Sequence, residues 1–202
     1  MGETKTYRRR PEIIKDMLIG VGDTGAKKTH IWSRTYLSHK LQMKYLEDIL
    51  NIALIEFNGK SLYIMTTKGR MYLRLYEDYE RRCKNFELAK KALEKIPIIY
   101  GTDLSYKPHT FRRRPEHIRD ILQVVEDSDS TKTNIYNSTH IHLKRLNQYI
   151  DEISKTDLIK LVGKLFTMTS EGEKVLELLE DYEREYKNLD RVNKAIEIML
   201  KR

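Results

Sequence analysis

The chain has 202 residues, room for one large domain or two small ones. A hydrophobic fraction of 40% beside a charged fraction of 34% suits a folded protein with long solvent-facing helices; no apolar run nears the roughly 20 residues of a membrane span, the opening MGETKTYRRR lacks a signal-peptide core, and the single cysteine, Cys83, excludes an internal disulfide or a Cys-rich zinc finger and fits a reducing compartment. The net charge of +8 is uneven: residues 1–70 hold 13 Lys/Arg against 7 Asp/Glu and 110–170 hold 10 against 8, so a polyanion such as nucleic acid would meet the first region more strongly.

Taken in order, the chain is read twice. RRRPE at 8–12 recurs at 112–116. Ile14, Leu18, Lys28-Thr29, Ile31, Tyr45, Ile49, Leu54-Ile55 and Gly59-Lys60 recur 104 residues on, and after a one-residue deletion Met65-Thr66, Gly69 and Asp78-Tyr79-Glu80-Arg81 recur 103 residues on. This is an internal duplication covering nearly the whole chain. In each copy a first helix starts at Pro11 or Pro115, where the missing N–H costs nothing. A polar turn follows, then a short second helix carrying Ile31-Trp32 or Ile135-Tyr136. A third helix starts near Ser38, an N-cap type, or near His142. A hairpin comes next, turning at Asn58-Gly59 as a two-residue loop or at Gly163. Thr66-Thr67 or Thr169-Ser170 then caps a long helix.

The first long helix is predicted over 71–96. Its apolar positions Tyr72, Tyr76, Tyr79, Cys83, Phe86 and Leu93 step by four and three, the spacing of a coiled-coil seam. The seam returns as Val175, Leu179, Tyr182, Tyr186, Leu189, Ile196 and Leu200, with polar Lys90 and Asn193 at matching points. Neither stripe is buried alone, so the two should pair. A 26-residue helix is about 39 Å long. The 13 residues of link 97–109 reach at most about 45 Å, and Ile98, Ile99, Tyr100 and Leu104 suit packing rather than stretching. Antiparallel pairing within one chain is the favoured arrangement; pairing of the same seams between two chains needs no new contacts and stays open.

Helix, helix, helix, hairpin, long helix is the order of a winged helix-turn-helix. The Lys-Thr of the second helix, Leu37-Ser38-His39, Tyr45, the Asn58-Gly59-Lys60 wing, Thr67-Lys68-Gly69 and the tyrosine-rich seam resemble the small archaeal winged-helix chromatin proteins whose winged helix precedes one long antiparallel-pairing helix. The resemblance spans each copy and implies DNA binding and an archaeal host or virus. The expected fold is therefore mainly α with small β wings (α+β): two winged-helix domains, residues 7–96 and 110–202 with 97–109 as linker, whose long helices form an antiparallel coiled coil.

In such a fold the third helix enters the major groove and the wing touches backbone or minor groove. The first-copy candidates are Ser38 and His39 at the helix start, then Lys40, Gln42, Met43 and Lys44 facing outward or sideways. The second-copy candidates are His142, Lys144, Arg145, Asn147 and Gln148. Lys, Arg, Asn and Gln donors match guanine and adenine edges. Phosphate contact is expected from Arg8, Arg9, Arg10, Arg112, Arg113 and Arg114 before the first helices, from Lys27, Lys28, Lys132 and Thr133 at the second helices, and from Asn58, Lys60 and Lys164 at the wings. Leu41-Gln42 stands opposite Arg145-Leu146, so the two recognition helices are expected to differ in start or tilt.

Gly20 to Gly25 spells G-x-G-x-x-G, but a helix precedes it and the second copy has Val124, Glu126 and Asp129 there, against a dinucleotide site. His140 and His142 lack a third metal ligand. No nucleophile with its base is evident, so no enzyme, cofactor or metal is expected. The leading function is duplex-DNA binding, as a transcriptional regulator or a chromatin and architectural protein, cytoplasmic and nucleoid-associated, acting as a pseudo-two-fold monomer or a swapped homodimer. The rival is a protein-interaction scaffold, favoured by the acidic Glu126-Asp127-Ser128-Asp129 loop; RNA binding is a third reading.

Overall fold

A computed structural model describes residues 8–99, 102, 104–106 and 114–201. The element order is α1 (Arg10–Val21), α2 (Lys28–Ser33), α3 (His39–Asn51), β1 (Ile55–Phe57), β2 (Tyr63–Met65), α4 (Thr67–Leu93), α5 (Arg114–Asp127), α6 (Lys132–Thr139), α7 (Leu143–Lys155), β3 (Ile159–Val162), β4 (Leu165–Met168) and α8 (Ser170–Met199). The described chain is mainly helical with two small two-stranded antiparallel sheets. It divides into two compact units, one formed by the described residues of Met1–Arg81 with those of Arg191–Arg202, the other by those of Arg82–Asp190. Each long helix therefore lends part of its length to both.

In the first unit α1, α2 and α3 bury Ile14, Met17, Leu18, Ile31, Leu46 and Ile49 around Leu54, Ile55 and Met65 of the wing. Tyr72 and Tyr76 of α4 close this core from one side, and Val192 and Ile196 of α8, with Leu200 just past its end, join it. Each such side chain contributes about 1.5–3 kcal/mol of transfer free energy. The second unit repeats the plan with Ile118, Ile121, Leu122, Val125, Ile135, Leu146, Ile150 and Ile153 buried. Ile98, Ile99 and Leu104 of the link are buried, so these residues pack as their apolar character demands; Tyr100 lies outside the described residues.

The wings differ from the expected turn in the first copy. β1 and β2 pair Phe57 with Tyr63, which leaves a five-residue loop, not a two-residue one. Asn58 Oδ1 accepts the backbone N–H groups of Lys60 at 2.9 Å and Leu62 at 3.1 Å. That local carboxamide ring holds the wider loop. In the second copy Val162 pairs with Leu165, so Gly163 and Lys164 make a true two-residue turn with Gly163 at φ 65°. Each wing gains a third backbone partner from the loop after its first helix, Ala26 to Tyr63 and Ser130 to Phe166.

The joint between wing and long helix is the most faithfully repeated part. Thr66 Oγ1 accepts the Gly69 N–H at 3.1 Å, and Thr169 Oγ1 accepts that of Gly172 at 3.1 Å. Both threonines thus cap their helices as expected. A Cβ on Gly69 would lie 2.2 Å from the Leu54 carbonyl oxygen, and on Gly172 2.1 Å from that of Leu158. Only glycine lets the first helical turn sit this close to the end of the preceding segment. α1 runs through Gly20 to Val21, so a helix, not a strand, precedes the remaining glycines of the G-x-G-x-x-G run.

Candidate nucleic-acid interface

α3 and α7 are amphipathic helices of 13 residues whose bounds differ by 104, the offset of the repeat. The expected one-residue shift between them is corrected: Gln42 and Leu146 occupy the same inward position, and both are buried. Gln42 is only 8% exposed. It faces inward, not outward, because its Nε2 donates to the Trp32 carbonyl and to Thr35 Oγ1, each at 3.3 Å. Those partners satisfy an amide that would otherwise be costly to bury. Gln42 is withdrawn from the outward set.

The outward face of α3 carries Lys40, Leu41, Met43 and Lys44, all exposed. Ser38 and His39 are exposed at its start. Ser38 sits at the N-cap, yet its hydroxyl makes no capping bond. His39 packs edge-on to Trp32 at 4.9 Å, and Lys28 Nζ lies 4.7 Å over the same indole. One aromatic ring thus fixes a cation of α2 beside the first turn of α3. Lys27 is exposed at the N-cap of α2, and Lys60 is exposed in the wing. Asn58 is also exposed, but its carboxamide oxygen is engaged in the wing loop.

The arginines before α1 are not equivalent. Arg8 pairs with Asp16 at 2.7 Å and donates to the Thr35 carbonyl. It clamps α1 to the turn before α3. Arg10 pairs with Asp48 of α3 at 3.3 Å. Arg9 is exposed at the N-cap of α1. In the second copy Arg112 and Arg113 lie outside the described residues. Arg114 pairs with Glu152 at 2.7 Å and lies 5.9 Å from the Tyr149 ring, the counterpart of the Arg10–Asp48 clamp.

α7 presents exposed Leu143, Lys144, Arg145 and Gln148. Gln148 Nε2 donates to Glu152 along the helix at 2.9 Å. Asn147 is half-buried, and its Oδ1 is buried without a hydrogen-bond partner. His142 is exposed at the N-cap, Lys132 and Thr133 are exposed on α6, and Lys164 is exposed in the turn of the wing.

Sequence reasoning missed several surface residues. Tyr36, in the turn between α2 and α3, adopts φ 50° and is 89% exposed. Its counterpart His140 adopts φ 54°. The left-handed turn holds this ring out to solvent just before α3; its sequence signal was an aromatic residue in a turn segment. Phe57 is exposed at the wing, 5.2 Å from Tyr63. In the second wing Leu161, Val162 and Leu165 are exposed, with Val162 at 62%. The run LIKL-VGK-LFTM carried that signal as outward apolar residues on a strand.

No curated protein matches this chain. A family model described as winged helix-turn-helix matches it twice, over residues 7–84 and again over 112–187. With most of its length so matched, in two successive copies, the chain belongs to the winged helix-turn-helix family.

Proposed function

We propose that this protein binds duplex DNA, chiefly through its first winged helix. The observation that carries the reading is the outward face of α3. Its inner face is core, while Lys40, Met43 and Lys44 project away from it, flanked by Lys27, Lys28 and Lys60. Family membership points the same way. Lysines at a helix face, a helix start and a wing suit phosphates, with Met43 and His39 left to meet base edges. The second winged helix adds Lys144, Arg145 and Lys164. The role we favour is architectural or regulatory, as in the archaeal chromatin proteins the chain resembles.

We further infer that α4 and α8 pair antiparallel as a coiled coil. What supports it is the composition of each unit. Tyr76 and Ile196 share one core, and in the other unit Phe86 lies 5.2 Å from Tyr182 and 6.1 Å from Tyr186. Arg82 also pairs with Glu185 at 3.4 Å. Lys90 and Asn193 bond along their own helices, to Glu87, Glu94 and Glu197.

Fluorescence anisotropy with a random-sequence duplex of about 40 bp tests the DNA reading. Six to ten phosphate contacts predict an affinity loss of about 10³–10⁵ between roughly 50 and 200 mM salt. Absence of binding at the lower salt overturns it. A second reading has its own observation: the exposed Leu161, Val162 and Leu165 and the exposed acidic loop Glu126–Asp129 of the second unit suit a protein partner. DNA affinity indifferent to charge reversal of Lys144 and Arg145 would favour that division of labour.

A further inference from the structure

Within the first unit, the residues just past the end of α8 come beside the recognition helix. Arg10, Lys44, Tyr45, Asp48, Leu200 and Lys201 line an open pocket of about 490 Å³. Leu200 is buried in the core of that unit, which anchors its neighbour Lys201 at the pocket. The lining holds three cations and one anion. Arg10 pairs with Asp48 at 3.3 Å, so those two charges offset each other. Lys44 and Lys201 are exposed, and their ammonium groups form no ion pair among the described residues. The pocket therefore carries two surplus positive charges. The half-buried Tyr45 adds a hydroxyl that bonds to none of the described residues.

The second copy serves as an internal control. Arg114, Tyr149 and Glu152 answer to Arg10, Tyr45 and Asp48, and Arg114 pairs with Glu152 at 2.7 Å. Neither surplus lysine has a cationic counterpart. Lys44 is answered by Gln148, which donates to Glu152 at 2.9 Å, and Lys201 by Ile98, which is buried. A set of residues that is neutral in one copy is doubly cationic in the other. Two like charges sharing one pocket repel, and an anion placed between them turns that repulsion into attraction.

We propose that the first pocket holds a phosphate group, supplied by the DNA backbone, between Lys44 and Lys201. The end of the second copy's long helix thereby completes the DNA surface of the first head. This rests on the DNA reading, since Lys44 lies on the outward face of α3. A phosphate held there positions the duplex against that face without reading sequence.

Anisotropy titrations of the full chain on two duplexes of unrelated sequence, over a range of salt, test this. Lys201→Gln should weaken both duplexes alike and lower the slope of log affinity against log salt by about 1, as loss of one phosphate contact requires. Lys44→Gln should cost less in the Lys201→Gln background than in the wild type, because the two lysines share one phosphate. Lys187→Gln, the same charge change elsewhere on α8, should leave the slope unchanged. Thermal melting confirms that each variant is folded. Wild-type affinity and slope retained by Lys201→Gln would overturn the pocket and leave the DNA reading standing. Strictly additive losses would also overturn it, since the lysines would then meet separate phosphates. If the wild type binds no duplex, the DNA reading fails and isothermal titration with inorganic pyrophosphate decides the pocket. Saturable heat that Lys201→Gln abolishes would keep it as a site for a free phosphate compound. Heat that survives Lys201→Gln, or no heat at about 10 mM, beyond the millimolar range of weak sites, would overturn it.

Discussion

The two winged helices share a scaffold and differ in what they show to solvent. Their wing joints, recognition-helix bounds and core positions repeat at a fixed offset. Their exposed faces do not. The first offers His39, Lys40, Met43 and Lys44 with a five-residue wing loop; the second offers Leu143, Lys144, Arg145 and Gln148 with a tight, apolar wing and an acidic loop. After duplication, packing constrains the inner face of each element, because a change there creates a cavity or an unpaired polar group. Nothing comparable constrains the outer face except the partner it meets. The divergence of the surfaces supports the proposal that the first head carries most of the DNA contact.

The sharpest test of the shared scaffold is the glycine at each joint. Gly69→Ala and Gly172→Ala should each cost about 3 kcal/mol, the upper part of the range for overpacking, because the added Cβ meets a backbone carbonyl that a side-chain rotation cannot move. Chemical denaturation measures it. A loss in one copy but not the other would break the equivalence of the joints. The next largest effect concerns the difference in surfaces. Lys40→Glu with Lys44→Glu should weaken duplex DNA binding by about thirtyfold, as two lost contacts at the lower end of about 1–3 kcal/mol each imply. Lys144→Glu with Arg145→Glu should weaken it by less, and anisotropy titrations rank the two. Equal losses would show that the heads contribute alike despite their different faces.

Much of this was legible in the sequence, and the parts that were not have physical reasons. The duplication, the bounds of the third helices and the capping Thr66 and Thr169 follow from repeat and cap chemistry, which are local; the first long helix, expected over 71–96, instead runs Thr67–Leu93, starting at its threonine cap. The inward turn of Gln42 was not legible, because glutamine reads as surface unless its partners are known. Those partners are a backbone carbonyl and Thr35, brought together only by the fold. Asn58-Gly59 reads as a two-residue turn, but the carboxamide of Asn58 binds two backbone amides and widens the loop. Arg8 reads as a phosphate ligand, yet Asp16 stands two helical turns away on the same side. The exposed basic positions of α3 were legible because the opposite stripe, Leu46 and Ile49, fixes their direction.

Gln42 and Leu146 permit an exchange between copies. Gln42→Leu removes two weak donors and strands none, since the Trp32 carbonyl still accepts the Thr35 amide at 3.1 Å and its hydroxyl at 3.1 Å. Stability should change by less than about 1 kcal/mol. The converse, Leu146→Gln, buries an amide where Thr139 already donates to the Ile135 carbonyl at 2.8 Å. It should cost about 2 kcal/mol. Denaturant melts of the two variants give the asymmetry directly, and equal effects would mean that the two inward positions are interchangeable.

The last contrast depends on pH and concerns Tyr72, whose counterpart is Val175. The Tyr72 phenol is buried and donates to the Pro11 carbonyl at 2.8 Å. Burial, more than the neighbouring Tyr76, pushes its pKa well above the ordinary tyrosine value, with Arg10 opposing. An acid whose pKa is raised by folding stays protonated in the native state while the unfolded chain ionises near pH 10. Unfolding above that pH then releases a proton, so this stabilising contribution is complete below pH 10 and declines as pH rises beyond it, by about 1.4 kcal/mol per pH unit. Tyr72→Phe should cost about 1 kcal/mol at neutral pH through the lost hydrogen bond and should remove that alkaline slope. The second copy, with valine at this position, has no such dependence at its joint. Denaturant melts of the wild type and Tyr72→Phe between neutral pH and about pH 11 read the difference. Parallel curves would show that the phenol is no harder to ionise in the folded chain than in the unfolded one.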